Sequence, residues 1–351
     1  MSIELIQGDC LEKMKVIPGN SVDLILTDPP YFMVKKEEWD NQWKTREDFL
    51  SWIDSLAEQW QRILKPNGSL YCFASPRMSA RIEILLEGRF NVLCRITWDK
   101  ENNKCGALHR RCRKEDLRSF FAASENIVFA EQYGADSSAR GEAGYQIKCD
   151  ELRGFVFEPL REYFVHEKKR CGITSKEIRE GMKKLTGKRY VFERHTFSTS
   201  QWNFPTKEQY EAARELFNAK GGDFLRKDYE ELRKDYEELR RPFRVTKDVP
   251  YTDVWTYEVV RHYKGKHICE KPLRMLQDII RASSRPGDVV MDCFAGSGNT
   301  GLAAESLGRD SILIEKDPVR CGMIAGKISG GIEKESGRSI SSPGPVQMSL
   351  F

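Results

Sequence analysis

A chain of 351 residues with 40% hydrophobic residues has room for one large domain or two modest ones around a real core. The formal net charge of +4 lends only weak support to a polyanionic partner, because where charge sits matters more than its sum. The ten cysteines are scattered without a CxxC pair, "MSIELIQGDC" lacks the basic and apolar regions of a signal peptide, and no apolar run approaches the roughly 20 residues of a bilayer span. These features argue against a disulfide framework and a membrane-spanning helix, offer no CxxC metal pair, and predict reduced, mostly buried thiols in a soluble, cytoplasmic chain.

Residues 22–26, "VDLIL", read as a buried strand ended by prolines. A helix is predicted over 46–64, where Phe49, Trp52, Ile53, Leu56, Trp60, Ile63 and Leu64 recur at spacings of three and four on one face. Thr45 with Asp48 suits its N-terminus. "KPNG" should stop it, and "SLYCF" (69–73), "VLCRITW" (92–98) and "NIVFA" (126–130) read as further strands. This is α/β alternation.

The same pattern returns at the far end. Pro272 suits the first turn of a helix running to about Ser284, "RPGD" breaks it, and "VVMDCF" (289–294) is a strand. "AGSG" is a loop, 299–307 a helix and "SILIE" (311–315) a strand. Between the two α/β pieces, residues 135–250 are charged and aromatic with few strand signals. "TSKE" (174–177) and "TKEQ" (206–209) match the capping box, and they flank the basic, aromatic run "GKRYVFERHTFSTSQWNF". Next comes a tandem repeat, "RKDYEEL", at 226–232 and 233–239. Leu225, Tyr229, Leu232, Tyr236 and Leu239 form a heptad seam, but two heptads are short for an independent coiled coil. The stripe is therefore expected to pack on its own domain; the alternative is an arm that spans DNA or pairs two protomers into a homodimer. From about 329 the chain is rich in Gly, Ser and Pro, a flexible tail ending in "QMSLF".

Two short stretches carry chemistry. "DCFAGSGNT" (292–300) lies between a strand and a helix, where small residues let backbone N–H groups approach a ligand. It is neither GxGxxG nor a Walker loop. The next strand ends at Glu315, placed as acids that take ribose hydroxyls commonly are. The other stretch is "TDPPY" (27–31), directly after a strand and so at the rim where open α/β sheets bind ligands. Pro29 and Pro30 stiffen the segment and turn carbonyls outward as acceptors. Asp28 adds a carboxylate and Tyr31 a flat ring. Two acceptors beside a ring suit a planar base with an exocyclic amine. Each acceptor takes one hydrogen, which frees the nitrogen lone pair for attack, while the ring stacks on a base flipped from its duplex.

"FAGSG" (294–298) and "DPPY" (28–31) resemble the two signature motifs of amino-methylating DNA methyltransferases. "QGDC", "EEWDNQW", "ITWDK" and "HICEKP" (267–272) are also similar to that family. The order, DPPY first, variable middle second and FxGxG last, resembles its β class, over about 1–134 and 250–326. The resemblance implies a Rossmann-like S-adenosylmethionine-dependent methyltransferase fold with permuted motif order and an inserted target-recognition region. The catalytic half would be 1–134, the recognition region 135–250, the cofactor half 251–328 and the tail 329–351. It further implies that Asp9, Lys271, Asp292, Phe294, Ala295, Gly296 and Gly298 line the cofactor, with Glu315 on its ribose. Asp28 and the Pro29 carbonyl would hold the amine, Pro30 would stiffen the motif and Tyr31 would stack on the base. Members with Asp at the first DPPY position are mostly N6-adenine enzymes, and Ser there leans to N4-cytosine. Cytosine N4, an RNA amine or a non-catalytic DNA-binding regulator are the alternatives. A family member of this kind is expected to be bacterial or phage-encoded, nucleoid-associated, and part of a restriction-modification pair or solitary.

The middle is expected to read duplex DNA. Arg189, Arg194, His195, Gln201, Trp202 and Asn203 are types that contact bases or phosphates, and the two capped helices around them suggest a winged-helix-like arrangement. "QMSLF" separately resembles the pentapeptide by which bacterial replication and repair proteins dock on the DNA sliding clamp. Gln347 would hydrogen-bond there, and Leu350 and Phe351 would serve as apolar anchors.

Overall fold

The computed structural model describes residues 2–34, 36–100, 118, 120, 123–134, 155–187, 191–199, 201–247, 249–263 and 266–329. Eight strands form one mixed sheet: β1 (Ile3–Gln7), β2 (Val22–Thr27), β3 (Leu64–Ala74), β4 (Asn91–Asp99), β5 (Ser124–Glu131), β6 (Val254–Thr256), β7 (Val289–Asp292) and β8 (Asp310–Glu315). Their order across the sheet is β1-β8-β7-β2-β3-β5-β4-β6. The pairs from β1 to β3 are parallel, β5 runs antiparallel to both of its neighbours, and β6 adds to β4 in parallel. β2 is buried at every position, which is why it reads as a mostly apolar run; its one acid, Asp23, is paired with Lys65 and accepts from the Val289 N–H.

One face is covered by α1 (Cys10–Met14), α2 (Arg46–Ile63) and α3 (Ser79–Glu87). The apolar stripe of α2 lies on the sheet, with Phe49, Ile53, Leu56, Trp60 and Ile63 fully buried. Its start is fixed by a capping box, the Thr45 hydroxyl accepting from the Asp48 N–H and the Asp48 carboxylate from the Thr45 N–H. The "KPNG" stretch does not form the expected break. β3 begins at Leu64, straight out of α2, and the β2–β3 register shifts between Val22 and Leu24. That irregularity makes room for Pro66, which cannot donate to a ladder.

Between β5 and β6 lies a helical unit: α4 (Glu158–Cys171), α5 (Ser175–Thr186), α6 (Val191–Phe197), α7 (Lys207–Asn218) and α8 (Tyr229–Leu239). Both expected capping boxes form, at Thr174/Glu177 and Thr206/Gln209. The unit has its own core of Phe157, Phe164, Trp202, Tyr210, Phe217 and Leu232. Leu225, Leu232 and Tyr236 are buried in it, with Tyr229 and Leu239 packed alongside, so the heptad stripe serves its own domain. The helix of the repeat starts only at Tyr229, and Leu225 precedes it in a left-handed conformation (φ 52°). The winged-helix expectation is corrected: among the described residues of 155–247 there is no strand to form a wing. The unit is tied to the sheet where β3 and β7 begin and β5 ends. Arg241 pairs with Glu131, Asn67 donates to the Glu238 carbonyl, and Arg285 donates to the Glu237 and Arg240 carbonyls.

α9 (Leu273–Ser283) and α10 (Asn299–Ser306) cover the other face of the sheet, and α11 (Pro318–Ser329) extends that layer over β8 and β1. No helix among the described residues is long and apolar enough to cross a membrane.

Candidate active site

β2 and β7 pair through Leu24–Val290 and Ile25–Met291, so their carboxyl ends lie side by side. The chain leaves β7 through α10 to β8 on one side, while β2 leads through α2 to β3 on the other. The strand order thus diverges between β2 and β7, the topological switch point at which α/β sheets bind ligands. Residues 28–31 and 292–298, remote in sequence, meet there. A cavity of about 480 Å³, in the range of small-molecule sites, is lined by both stretches together with Asp9, His267, Lys271 and Glu315.

On the loop side, the Asp292 carboxylate accepts from the Phe294 N–H at 3.0 Å and from the Thr300 hydroxyl at 2.6 Å, so it braces the loop. Burial pushes its carboxyl up to about 6, against the pull of the Thr300 and Phe294 donors. Gly298 has φ 76°, and a Cβ there would sit 2.9 Å from Ile324, so only glycine lets the loop close on α11. Gly296 donates its N–H to Glu315 Oε2 at 2.8 Å, and Glu315 Oε1 accepts from the Asp317 N–H at 2.9 Å. Each of those oxygens keeps capacity for a ligand hydroxyl. The Ala295 N–H is committed to the Ile314 carbonyl at 2.9 Å. Phe294 lines the cavity and packs on Trp52. Asp9 caps α1 and faces Lys316 at 3.2 Å. His267 lies over Gly296, and burial lowers its imidazole to about 4, which keeps it neutral near pH 7.

On the DPPY side, Asp28 Oδ2 is 2.7 Å from the Lys271 ammonium, while Asp28 Oδ1 is buried without a hydrogen-bond partner. Burial pushes the Asp28 carboxyl up, the Lys271 charge pulls it down, and the Glu125 charge adds to the rise. Tyr31 donates its hydroxyl to Glu125 Oε2 at 2.9 Å, and Lys100 pairs with the other Glu125 oxygen. Burial tends to raise the Glu125 carboxyl, but the two ammonium groups, Lys271 first, hold it down at about 2. The segment after Tyr31 is strained, since Phe32 (φ 64°) and Met33 (φ 57°) are left-handed without being glycine, at a cost of roughly 1–2 kcal/mol each. Asp40 holds it. Fully buried, it accepts from the Tyr31 N–H at 2.7 Å and the Val34 N–H at 2.6 Å, and its carbonyl takes the Met33 N–H.

The structure therefore brings Asp28, Pro29, Pro30 and Tyr31 into one cavity with Asp9, Asp292, Phe294, Ala295, Gly296 and Glu315, while Gly298 does not line it and packs against Ile324 instead. Lys271 lines the same cavity, with its ammonium on the DPPY side. Its three N–H donors already have acceptors in Asp28, Glu125 and Tyr31. Among the described residues none of 155–247 lines the cavity. Trp202 is corrected from a DNA contact to a core residue: it is 0% exposed and stacks on Phe157 at 4.9 Å. Arg194, His195, Gln201 and Asn203 cluster on α6 and the following turn. Arg194 donates to the Gln201 side chain at 2.5 Å, His195 Nδ1 to the Gln201 carbonyl at 2.7 Å, and the Asn203 N–H to the His195 carbonyl. Arg189, Gln347, Leu350 and Phe351 lie outside the described residues.

A family model for N6_N4_Mtase, DNA methylase, matches residues 22–326. The chain belongs to that family. This DNA methylase is 27% identical over 322 residues to the DNA adenine methyltransferase YhdJ of Escherichia coli (strain K12), across 89% of this chain and 77% of that protein. It is 24% identical over 331 residues to the type II methyltransferase M.HinfI of Haemophilus influenzae, across 89% of this chain. The match spans 64% of M.HinfI, a little under two thirds of its length. The solved structure of PvuII DNA methyltransferase (cytosine-N4-specific) shares the fold, with a TM-score of 0.51 at 15% identity over 93% of this chain and 86% of that one.

Sequence reasoning missed Glu125 and the partnership of Lys100 with it. The available signal was an acid heading an otherwise apolar strand, "SENIVFA", which reads equally well as a solvated strand end.

Proposed function

We propose that this DNA methylase transfers the methyl group of S-adenosylmethionine to the exocyclic N6 amine of adenine in duplex DNA, with the base flipped out of its stack. The observation that carries the reading is Asp28, a residue lining the cavity shared with the 292–297 loop, whose Oδ1 is a buried acceptor without a hydrogen-bond partner. When bound, S-adenosylmethionine supplies an electrophilic methyl group on a sulfonium sulfur. Gly296, Gly298 and Phe294 would cradle it, and Glu315 and Asp9 would take hydroxyl and amine hydrogens. Asp28 Oδ1 and the Pro29 carbonyl accept the two amine hydrogens of the base, and Tyr31 flanks its ring. Aim and electrostatics then carry the rate. Direct transfer needs no thiolate intermediate, because the exocyclic amine, its lone pair freed by the two acceptors, is itself the nucleophile.

Asp rather than Ser at position 28 supports adenine by family analogy, as does the similarity to an adenine methyltransferase. In this reading the helical unit holds duplex flanking the target through exposed side chains such as Arg194, Gln201 and Asn203, and the tail docks the chain on a sliding clamp. The test is product analysis. The protein is incubated with mixed-sequence duplex and methyl-labelled S-adenosylmethionine, the DNA is digested, and the nucleosides are separated by mass. N6-methyladenine is expected. N4-methylcytosine overturns the base assignment, and label on RNA but not DNA overturns the substrate.

A further inference from the structure

The two oxygens of Asp28 sit in unlike settings. Oδ2 meets Lys271 Nζ at 2.7 Å, whereas Oδ1 is buried without a hydrogen-bond partner. Lys271 is gripped in turn. Its Nζ lies 3.0 Å from Glu125 Oε2 and donates to the Tyr31 hydroxyl at 3.0 Å, and the rings of Phe73, Tyr31 and Trp98 stand 4.9, 5.1 and 6.0 Å away. Its backbone is fixed from the loop side, where Asn299 Nδ2 donates to the Lys271 carbonyl at 3.1 Å and to Glu270 at 3.0 Å. A tetrahedral ammonium has three donors, and all three are used here.

We propose that Lys271 is a positioning residue for methyl transfer: by holding Asp28 Oδ2 against the Glu125–Tyr31 pair, it leaves Oδ1 as the single open carboxylate acceptor, aimed at the target amine. The proposal rests on the amine-transfer reading above. A carboxylate free to rotate presents either oxygen, or a proton; one pinned through Oδ2 presents one lone-pair edge in one direction. Asp28 and Glu125 are balanced by Lys271 and Lys100, so the cluster is close to neutral while Asp28 stays ionised. The other groups that bear on Asp28 are Tyr31, Asp292 and Cys72, and Cys269 and His267 bear on Lys271. None of these supplies a second cation at Asp28. Without Lys271, two buried carboxylates would share one ammonium and Asp28 would take up a proton.

The test uses the full-length protein with Lys271→Met and Lys271→Arg. S-adenosylmethionine binding is followed by calorimetry, and kcat on duplex DNA is followed from pH 5.5 to 9. For Lys271→Met the expected result is a cofactor Kd within about threefold of wild type, kcat lower by about 10²-fold at neutral pH, and an acidic limb displaced upward by about one pH unit or more. Lys271→Arg keeps the charge but not the tetrahedral aim, so its acidic limb should stay in place while kcat falls about tenfold. If Lys271→Met does not fold, as judged by thermal melting, the arginine variant carries the test alone, and wild-type kcat in it would overturn the proposal. A Lys271→Met protein that loses cofactor binding with an unmoved pH limb would make the lysine a cofactor contact and overturn it too. An active wild type with an unaffected Lys271→Met sinks this proposal only; a wild type that methylates no DNA amine sinks the reading beneath it.

Discussion

The sheet rim and the helical unit bury opposite kinds of side chain. At the rim, Asp28, Lys271, Glu125, Asp40 and Asp292 are drawn out of water and kept there by one another and by backbone N–H groups. In the helical unit the interior is a stack of rings, Phe157 against Trp202 and Tyr236, with most polar groups left on the surface. Buried polar groups are costly unless satisfied, so an open acceptor among satisfied ones marks where a ligand completes the set. The ring stack leaves one such group as well, the buried Trp202 Nε1, but that ring does not line the cavity at the rim; the stack holds a scaffold together and is silent about what the surface touches.

The sharpest break of that contrast is Asp28→Ala. Turnover should fall by about 10³-fold or more while S-adenosylmethionine binding, followed by calorimetry, stays within about twofold. Lost cofactor binding would move Asp28 out of the amine site. Asp40→Ala releases two backbone N–H groups and the left-handed turn at Phe32 and Met33. It should lower kcat by about 10²-fold through misplacement of Tyr31, with a melting temperature only a few degrees lower. In the helical unit the effect should appear in stability instead. Trp202→Ala removes a fully buried ring and should cost about 3–5 kcal/mol in urea unfolding, and normal stability with lost DNA binding would return Trp202 to the interface.

A finer test uses pH. Asp292, raised to about 6 from an ordinary 3.8, holds a proton in the folded state that the unfolded chain has shed, so its contribution to stability falls as pH rises from about 4 to 6. His267, lowered to about 4 from 6.5, contributes in the opposite sense, and its stabilisation is lost as pH falls from about 6.5 to 4. The two largely offset each other. Relative to wild type, Asp292→Asn should gain stability as pH rises through this window and His267→Gln should lose it. Thermal melts at half-unit pH steps read both slopes, and parallel curves for all three proteins would show that neither group titrates there. The smallest effect on catalysis belongs to the tail: deleting 347–351 should leave kcat on short duplexes unchanged and abolish recovery of the protein on immobilised sliding clamp. Equal recovery of both forms would remove clamp docking.

How far the sequence could be read follows the same division. The period of α2, the buried run of β2, and the DPPY and FAGSG stretches after strands were all legible, because each is a local pattern with a local cause. β1 escaped because five residues at a sheet edge carry little periodicity. Glu125 escaped for a different reason: it reaches Tyr31 and Lys271 only because β5 runs antiparallel beside β3 and β4, a pairing that no window around "SENIVFA" reveals. Lys271 was visible as part of a family element, but its side-chain partners were not, since Asp28, Tyr31 and Glu125 lie far away in sequence. In the helical unit the caps and the Leu/Tyr stripe were legible, while Trp202 in a basic, aromatic run could be read as a reader of bases or as a core tryptophan, and its burial decides for the core.

The sheet order also has a consequence for how the protein is made. β1 has β8 as its sheet neighbour, and β2 has β7 on one side, so both wait for strands synthesised much later. A ribosome releasing this chain amino end first exposes the apolar edge of β2 until more than 250 further residues have emerged. Such late, long-range pairing is slow and prone to aggregation, and it calls for chaperone cover during translation. In the reading proposed above, a nascent chain halted before "DCFAGSG" would carry Asp28 but no loop to face it, and should transfer no methyl group.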